Sequence, residues 1–252
     1  MMKTKVIACF LLAGFIFGSC KKEETPDLVN PPAEVTIVDP LLREQIRLKL
    51  GLAESEVINE ENILRLDTLD LVGENDLTGA INGISSLEGL GAATELSYLR
   101  FGGTQVSDLT PIAGLRKVKY LRLNNTPVTS LAPLAQWTSL TYFNINSVTG
   151  ITDISPIAGN TSLQEIIMRD VPFGNAGMPT FSNFNVLYRL NIRGTGITDI
   201  AVLITLMQNG ALLDSTPGAA AAGGATLDLR GNTVDCALLD PYRSQINSLN
   251  GC

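Results

Sequence analysis

The chain has no histidine among its 252 residues. That absence removes the usual general base, the usual proton shuttle and the commonest metal ligand together. Serine-histidine-acid triads, cysteine-histidine dyads and histidine zinc sites are therefore excluded. Positive charge is also scarce: 18 basic against 25 acidic side chains give a formal charge of −7, which argues against bulk nucleic acid as the main partner. No stretch reaches the roughly 20 apolar residues a membrane-spanning helix needs. A glycine-rich phosphate loop, a nucleophile elbow, a paired catalytic carboxylate and a closely spaced acidic metal loop are all missing, so neither enzyme nor cofactor is expected. What is abundant is apolar residue, at 45%. That is enough for a core of one large or two small domains and excludes a wholly disordered chain.

The one long apolar run, Val6 to Phe17, follows Lys3 and Lys5 and precedes Gly18, Ser19 and Cys20. Twelve helical residues rise about 18 Å against a hydrocarbon core of roughly 30 Å, so the run reads as a signal-peptide core over residues 1–19. Small residues ahead of Cys20 resemble the lipobox of bacterial lipoproteins, which implies acylation of Cys20; an ordinary secretory signal with a chance cysteine is the alternative. Lys21-Lys22-Glu23-Glu24 resembles the export tag of surface lipoproteins in some Gram-negative bacteria. The implied location is the outer membrane, lipid-anchored and facing outward, with the membrane touched through the anchor only. Losing Lys3 and Lys5 leaves 16 basic against 25 acidic residues, or −9. Residues 20–38, with Pro26, Pro31 and Pro32, read as a tether.

The body of the chain repeats itself. Val106-Ser-Asp-Leu109-Thr-Pro111-Ile112-Ala113 recurs as Val128-Thr-Ser-Leu131-Ala-Pro133-Leu134-Ala135 and as Ile151-Thr-Asp-Ile154-Ser-Pro156-Ile157-Ala158. Between them lie Leu96-Ser-Tyr-Leu99-Arg-Phe101, Val118-Lys-Tyr-Leu121-Arg-Leu123 and Leu140-Thr-Tyr-Phe143-Asn-Ile145. The alternating segment predicts a short strand with one face inward, and the proline block a non-helical or 3₁₀ return on the other side. Further strands are expected at Leu66 to Leu71, Leu163 to Met168, Leu187 to Ile192 and Thr226 to Leu229, seven in all. Gly73 to Gly83 and Gly210 to Gly224 read as irregular spacers, the second with room for a short helix. This pattern resembles the leucine-rich repeat, and the proline turns resemble its internalin-like class. The resemblance implies an α/β solenoid with parallel strands on a concave face over residues 66–232. A parallel β-helix or crossover-helix fold would share the apolar ladder, but turns of 22 residues are short for a crossover helix plus strand.

A solenoid needs covered ends. Asp39-Pro40, the apolar face Leu42, Ile46, Leu50 and then Gly51 predict a capped helix within an N-terminal cap, residues 39–65. An Asp-Pro helix followed by Asn59-Glu60-Glu61 resembles the segment ahead of the repeats in internalin-like proteins; a generic short helix is the alternative. At the other end a helix-like stretch is expected from Leu238 to Leu249, in a C-terminal cap of residues 233–252. Once Cys9 leaves with the signal and Cys20 is lipidated, Cys236 and Cys252 remain. In an exported protein their default is a disulfide contributing about 3 kcal/mol; metal binding by two thiols is the weaker option.

The strand register predicts three outward columns. The first is Thr68, Tyr98, Tyr120, Tyr142, Glu165, Arg189 and Thr226. The second is Asp70, Arg100, Arg122, Asn144, Ile167, Asn191 and Asp228, and the third Val72, Gly102, Asn124, Asn146, Arg169, Arg193 and Arg230. Three of the five tyrosines share the first column, and six arginines stand against three acids. Tyrosine and arginine favour interface hot spots. The candidate partner-binding residues are accordingly Tyr98, Arg100, Tyr120, Arg122, Tyr142, Asn144, Arg169, Arg189 and Arg193. A stacked ladder that merely stabilises the sheet is the competing reading. Trp137 shares its register position with Leu115 and Phe184 and is expected in the core. The leading functional expectation is a protein ligand on the concave face, in adhesion or host interaction. A glycan-binding accessory in nutrient capture and a structural envelope component are the alternatives. Mass spectrometry without reductant should show one peptide pair joined through Cys236 and Cys252; free thiols on the exported protein would exclude the bridge.

Overall fold

The reason these residues form strands only three long is that each repeat offers one central inward side chain per strand and then turns. The computed structural model describes residues 30–71 and 81–252, so residues 1–19, read above as a signal peptide, together with Cys20 and Val72, lie outside the described residues. Within it β1 (Thr68–Asp70), β2 (Tyr98–Arg100), β3 (Tyr120–Arg122), β4 (Tyr142–Asn144), β5 (Glu165–Ile167), β6 (Arg189–Asn191), β7 (Thr226–Asp228) and β8 (Ser248–Asn250) make one parallel sheet. The strands follow each other in chain order. Leu69, Leu99, Leu121, Phe143, Ile166, Leu190, Leu227 and Leu249 are mutual register partners across it. These belong to or pack against a single apolar core that runs the length of the unit formed by residues 32–252.

After β2 through β7 the chain turns through a left-handed residue at the same repeat position: Gly103, Asn125, Ser147, Asp170, Gly194 and Gly231, with φ between 55° and 81°. Small, polar or glycine side chains tolerate that conformation best. The amides there extend the ladder beyond the strands, as in Asn125 N–H to the Asn146 carbonyl (3.0 Å) and Ser147 N–H to the Arg169 carbonyl (2.8 Å). Thr104, Thr126 and Thr195 are buried one residue later, and each hydroxyl donates to the carbonyl three residues back at 2.8 to 2.9 Å. In these three turns the buried hydroxyl thus satisfies a carbonyl of the turn itself, as a buried turn requires.

On the return side Pro111, Pro133 and Pro156 sit inside the 3₁₀ segments Thr110–Ile112, Ala132–Leu134 and Ser155–Ile157. Asp108 and Asp153 accept from the first amide of their segments at 2.8 and 2.9 Å. The hydrogen bonds from Thr110 and Ser155 hold both carboxyls below the usual range. The equivalent position after Ile200 is different. There α3 (Ala201–Gln208) forms, burying Leu203, Leu206 and Met207 at the i, i+3, i+4 spacing of a helical face. A shorter helix, α2 (Gly174–Gly177), leads into the 3₁₀ segment Met178–Asn183. Leu115, Trp137 and Phe184 are all buried, and the Trp137 indole N–H donates to the Ala113 carbonyl at 3.2 Å.

Three expectations change. Among the described residues the sheet has eight strands, not seven. The stretch predicted as helix from Leu238 to Leu249 is a 3₁₀ segment, Cys236–Gln245, followed by β8. Pro241 lacks the amide an α-helix would use, while Ile246 and Leu249 repeat the spacing of Leu96 and Leu99. Finally, residues 33–37, assigned above to the tether, run against the cap: Val35 N–H donates to the Ile58 carbonyl (2.8 Å), Glu60 N–H to the Ala33 carbonyl (2.9 Å), and Ile37 is fully buried. The Cys236–Cys252 disulfide joins the 3₁₀ segment to the chain just beyond β8. Among the described residues no helix is long and apolar enough to cross a membrane.

At the other end α1 (Pro40–Leu50) begins on Asp39, whose Oδ1 accepts from the amides of Leu41 (3.0 Å) and Leu42 (3.1 Å). Its Oδ2 accepts from Ser85 N–H (2.9 Å) and Ser86 N–H (3.3 Å), so one carboxylate caps the helix and pins it to the chain ahead of β2. Burial pushes this carboxyl's pKa up, but the backbone donors of Ser85, Leu42, Leu41 and Ser86 outweigh it and the net direction is down. A depressed folded pKa stabilises the native state above the unfolded value and is lost as pH falls through the folded one. Asp39→Ala should therefore cost about 1–3 kcal/mol at neutral pH in a denaturant titration. It should also flatten the stability lost on acidification below about pH 4; an unchanged midpoint would show that the cap is not held there.

Candidate functional site

The open face of the sheet is assembled from positions that cannot enter the core, because the strand period of two sends them outward. Parallel register brings the predicted columns together: Thr68, Tyr98, Tyr120, Tyr142, Glu165, Arg189 and Thr226 are successive partners, and so are Asp70, Arg100, Arg122, Asn144, Ile167, Asn191 and Asp228. Ser248 and Asn250 of β8 extend both rows.

In the first row the rings of Tyr98, Tyr120 and Tyr142 stack face to face, with centroids 4.2 and 4.1 Å apart and planes within 11° and 5° of parallel. Both faces of Tyr120 are thereby covered. Adjacent strands are roughly 4.8 Å apart, so the rings lean onto one another and present their hydroxyl edges. Burial, then hydrogen bonding to Tyr142, raises the Tyr120 hydroxyl well above the ordinary phenol value. The Asn144 amide donates to the Tyr142 hydroxyl at 3.0 Å, and its carbonyl accepts from Asn146 N–H at 3.0 Å. Asn144 is only 5% exposed. It positions its neighbours from beneath, which a residue column alone did not reveal.

The six arginines divide by environment. Arg100, Arg189 and Arg230 face carboxylates on the same surface: Asp70 at 3.4 Å, Glu165 at 2.7 Å and Asp228 at 2.6 Å. The hydrogen bond from Arg230 holds the Asp228 carboxyl below the usual range. Arg193 lies near that same carboxylate and adds to the effect. Arg122 and Arg169 instead donate their Nε–H to neutral side chains, Asn124 Oδ1 and Asn146 Oδ1, each at 2.6 Å. Among the described residues neither meets a carboxylate. The expected basic strip is thus neutralised towards both ends and left positive in its middle. Arg100 Nε is the buried side-chain polar atom without a partner among the described residues.

Between Arg122 and Arg169 lies an open cavity of about 310 Å³, lined also by Tyr142, Asn144, Asn146, Ile167 and Asn191. Asn146, Ile167 and Asn191 stood in the predicted columns but not among the predicted contacts. Tyr188, between columns, was missed: it is nearly buried and donates its hydroxyl to Glu165 at 3.0 Å, fixing the carboxylate that also holds Arg189. Among the described residues no three of His, Cys, Asp and Glu gather as a metal site.

The fold has solved counterparts. An internalin of Listeria monocytogenes matches 88% of this chain and 72% of its own, at 23% identity and a TM-score of 0.60. Internalin C2 of the same organism matches 87% of this chain and 97% of its own, at 19% identity and 0.65. A leucine-rich repeat protein of Leptospira interrogans matches 76% and 56%, at 15% identity and 0.50. No family model and no curated protein sequence matches the chain. With the single parallel sheet, these likenesses define the fold as a leucine-rich repeat solenoid, the architecture that internalins share.

A raised tyrosine pKa means the folded state holds its proton longer, so this contribution to stability is lost as pH rises above the unfolded value of about 10. In a spectrophotometric titration at least one phenol should ionise later than free tyrosine, and Tyr120→Phe should remove one late-titrating group. A full complement ionising together near the free value would contradict the stacked geometry.

Proposed function

We propose that this chain is an exported, lipid-anchored recognition protein that binds a protein partner through the open face of its sheet, in an adhesion-type role. The observation that carries the reading is the tyrosine ladder. A sugar ring docks on an exposed aromatic face, but the faces of Tyr120 are taken by its neighbours. Tyr120 therefore offers its edge, beside arginines and asparagines, a polar handle on a large rigid group, which suits a protein surface. Fold likeness supports a binding scaffold and names no partner. Acylation at Cys20 and outward placement in a Gram-negative outer membrane rest on the lipobox and charged-tag resemblances alone. A binding role in place of catalysis is supported by the open surface, since chemistry is usually done in an enclosed pocket.

Pull-down from candidate surfaces with the full chain, beside a Tyr120→Ala/Arg122→Ala variant, tests the reading. Capture should be lost in the variant with little change in melting temperature. A large fall in melting temperature would instead make the ladder a structural device. Saturable binding to one polysaccharide on a glycan array would displace the protein partner.

A further inference from the structure

We infer that the cavity between Arg122 and Arg169 is an anion-binding cradle that takes a carboxylate of an acidic segment on the protein partner. The inference rests on the reading of the open face as a partner surface and adds the chemistry that the partner must bring.

Two guanidinium groups converge on one cavity with no carboxylate in its lining. Each is pinned at Nε by a neutral asparagine at 2.6 Å. That single bond sets the plane of the guanidinium and leaves both terminal nitrogens of Arg122 and Arg169 free of bonds to the fold among the described residues. A planar fork held in this way is matched to a carboxylate, which can accept two parallel N–H bonds. Asn124, Asn146 and Asn144 also set the local order: Asn144 positions Asn146 through its backbone amide, and Asn146 positions Arg169. The fold thus spends neutral groups on orienting two cations, whereas Arg100, Arg189 and Arg230 on the same face are given carboxylates. In a chain of net charge −7, a cationic pair whose partners on the open face are neutral asparagines is matched to an anionic ligand.

Size and surroundings narrow the anion. About 310 Å³ lies at the small end of ligand cavities, enough for one or two acidic side chains. Ile167 adds an apolar side chain to the lining, suited to the methylenes of glutamate. Tyr142, the tyrosine in the lining, has one ring face stacked on Tyr120 and its hydroxyl engaged by Asn144, so the cavity's polar contacts are set by the arginines and asparagines.

The test is a fluorescence titration of the full chain with labelled hexaglutamate peptide, compared with labelled hexagalacturonate. Saturable, salt-sensitive binding of the peptide is expected, weakened about tenfold or more in Arg122→Gln/Arg169→Gln. It should be unaffected in Arg116→Gln, whose exposed side chain lies outside the cavity. Should the double variant unfold, the single changes Arg122→Lys and Arg169→Lys keep the charge and lose the fork, and each should weaken binding. Absence of peptide binding, equal loss in Arg116→Gln, or undiminished binding in the cavity variants would overturn the cradle. Tighter binding of hexagalacturonate would assign it to acidic glycans instead. If a Tyr98→Ala chain loses its partner in the pull-down while Arg122→Gln/Arg169→Gln keeps it, the cradle fails and the binding face stands.

Discussion

No single repeat of this protein can bury its own leucines. Each supplies a strand of three residues and a short return, and the apolar side chains of both find cover only against the repeats on either side. Most of what is distinctive follows from that constraint. The repeats keep register because a slip would expose the central strand residue. The turns after the strands are left-handed because the chain must reverse without losing contact with the next strand. The two ends carry devices the middle does not need, the Asp39 carboxylate joining helix to repeat and the Cys236–Cys252 bridge holding the last segment against β8.

The same constraint separates two kinds of position. Inward residues answer to packing, and their chemistry is uniform: leucine, isoleucine, valine and phenylalanine. Outward residues answer only to their neighbours in the row, and there the protein has built an ordered polar surface. Some of it is internally satisfied, as where Glu165 is held by both Tyr188 and Arg189. Some is oriented but unsatisfied, as at Arg122 and Arg169. Orientation without satisfaction is what preorganised recognition requires, because the cost of ordering the side chain has been met in folding before a ligand arrives.

How much of this was legible in the sequence depended on whether a feature was periodic. The strands from Tyr98 to Asn191 and the tyrosine row follow from repeats of 22 to 24 residues, and α1 from Asp39, Pro40 and Gly51. The eighth strand escaped notice because Ile246 and Leu249 fit a helical spacing as well as a strand spacing, and only Pro241 argued against the helix. Helix α3 was hidden by an apolar run in which the i, i+3, i+4 face of Leu203, Leu206 and Met207 has no polar contrast. The site was legible as columns but not as chemistry. Which arginines have carboxylate partners is a matter of side-chain reach across strands and along them, and so is the hydrogen bonding of Asn144, which is 5% exposed, lines the cavity and holds Tyr142 and Asn146.

The stacked rows also fix a pitch. Neighbouring outward side chains recur at the strand spacing, so the face is a grid whose points are set by backbone hydrogen bonds and whose contents are free of the core. A mutation at one grid point is felt by its side-chain partners, as along Asn144, Asn146 and Arg169, and leaves the inward ladder in place. Such a surface can change its charge and shape by outward replacements while the leucines that hold the repeats together stay as they are.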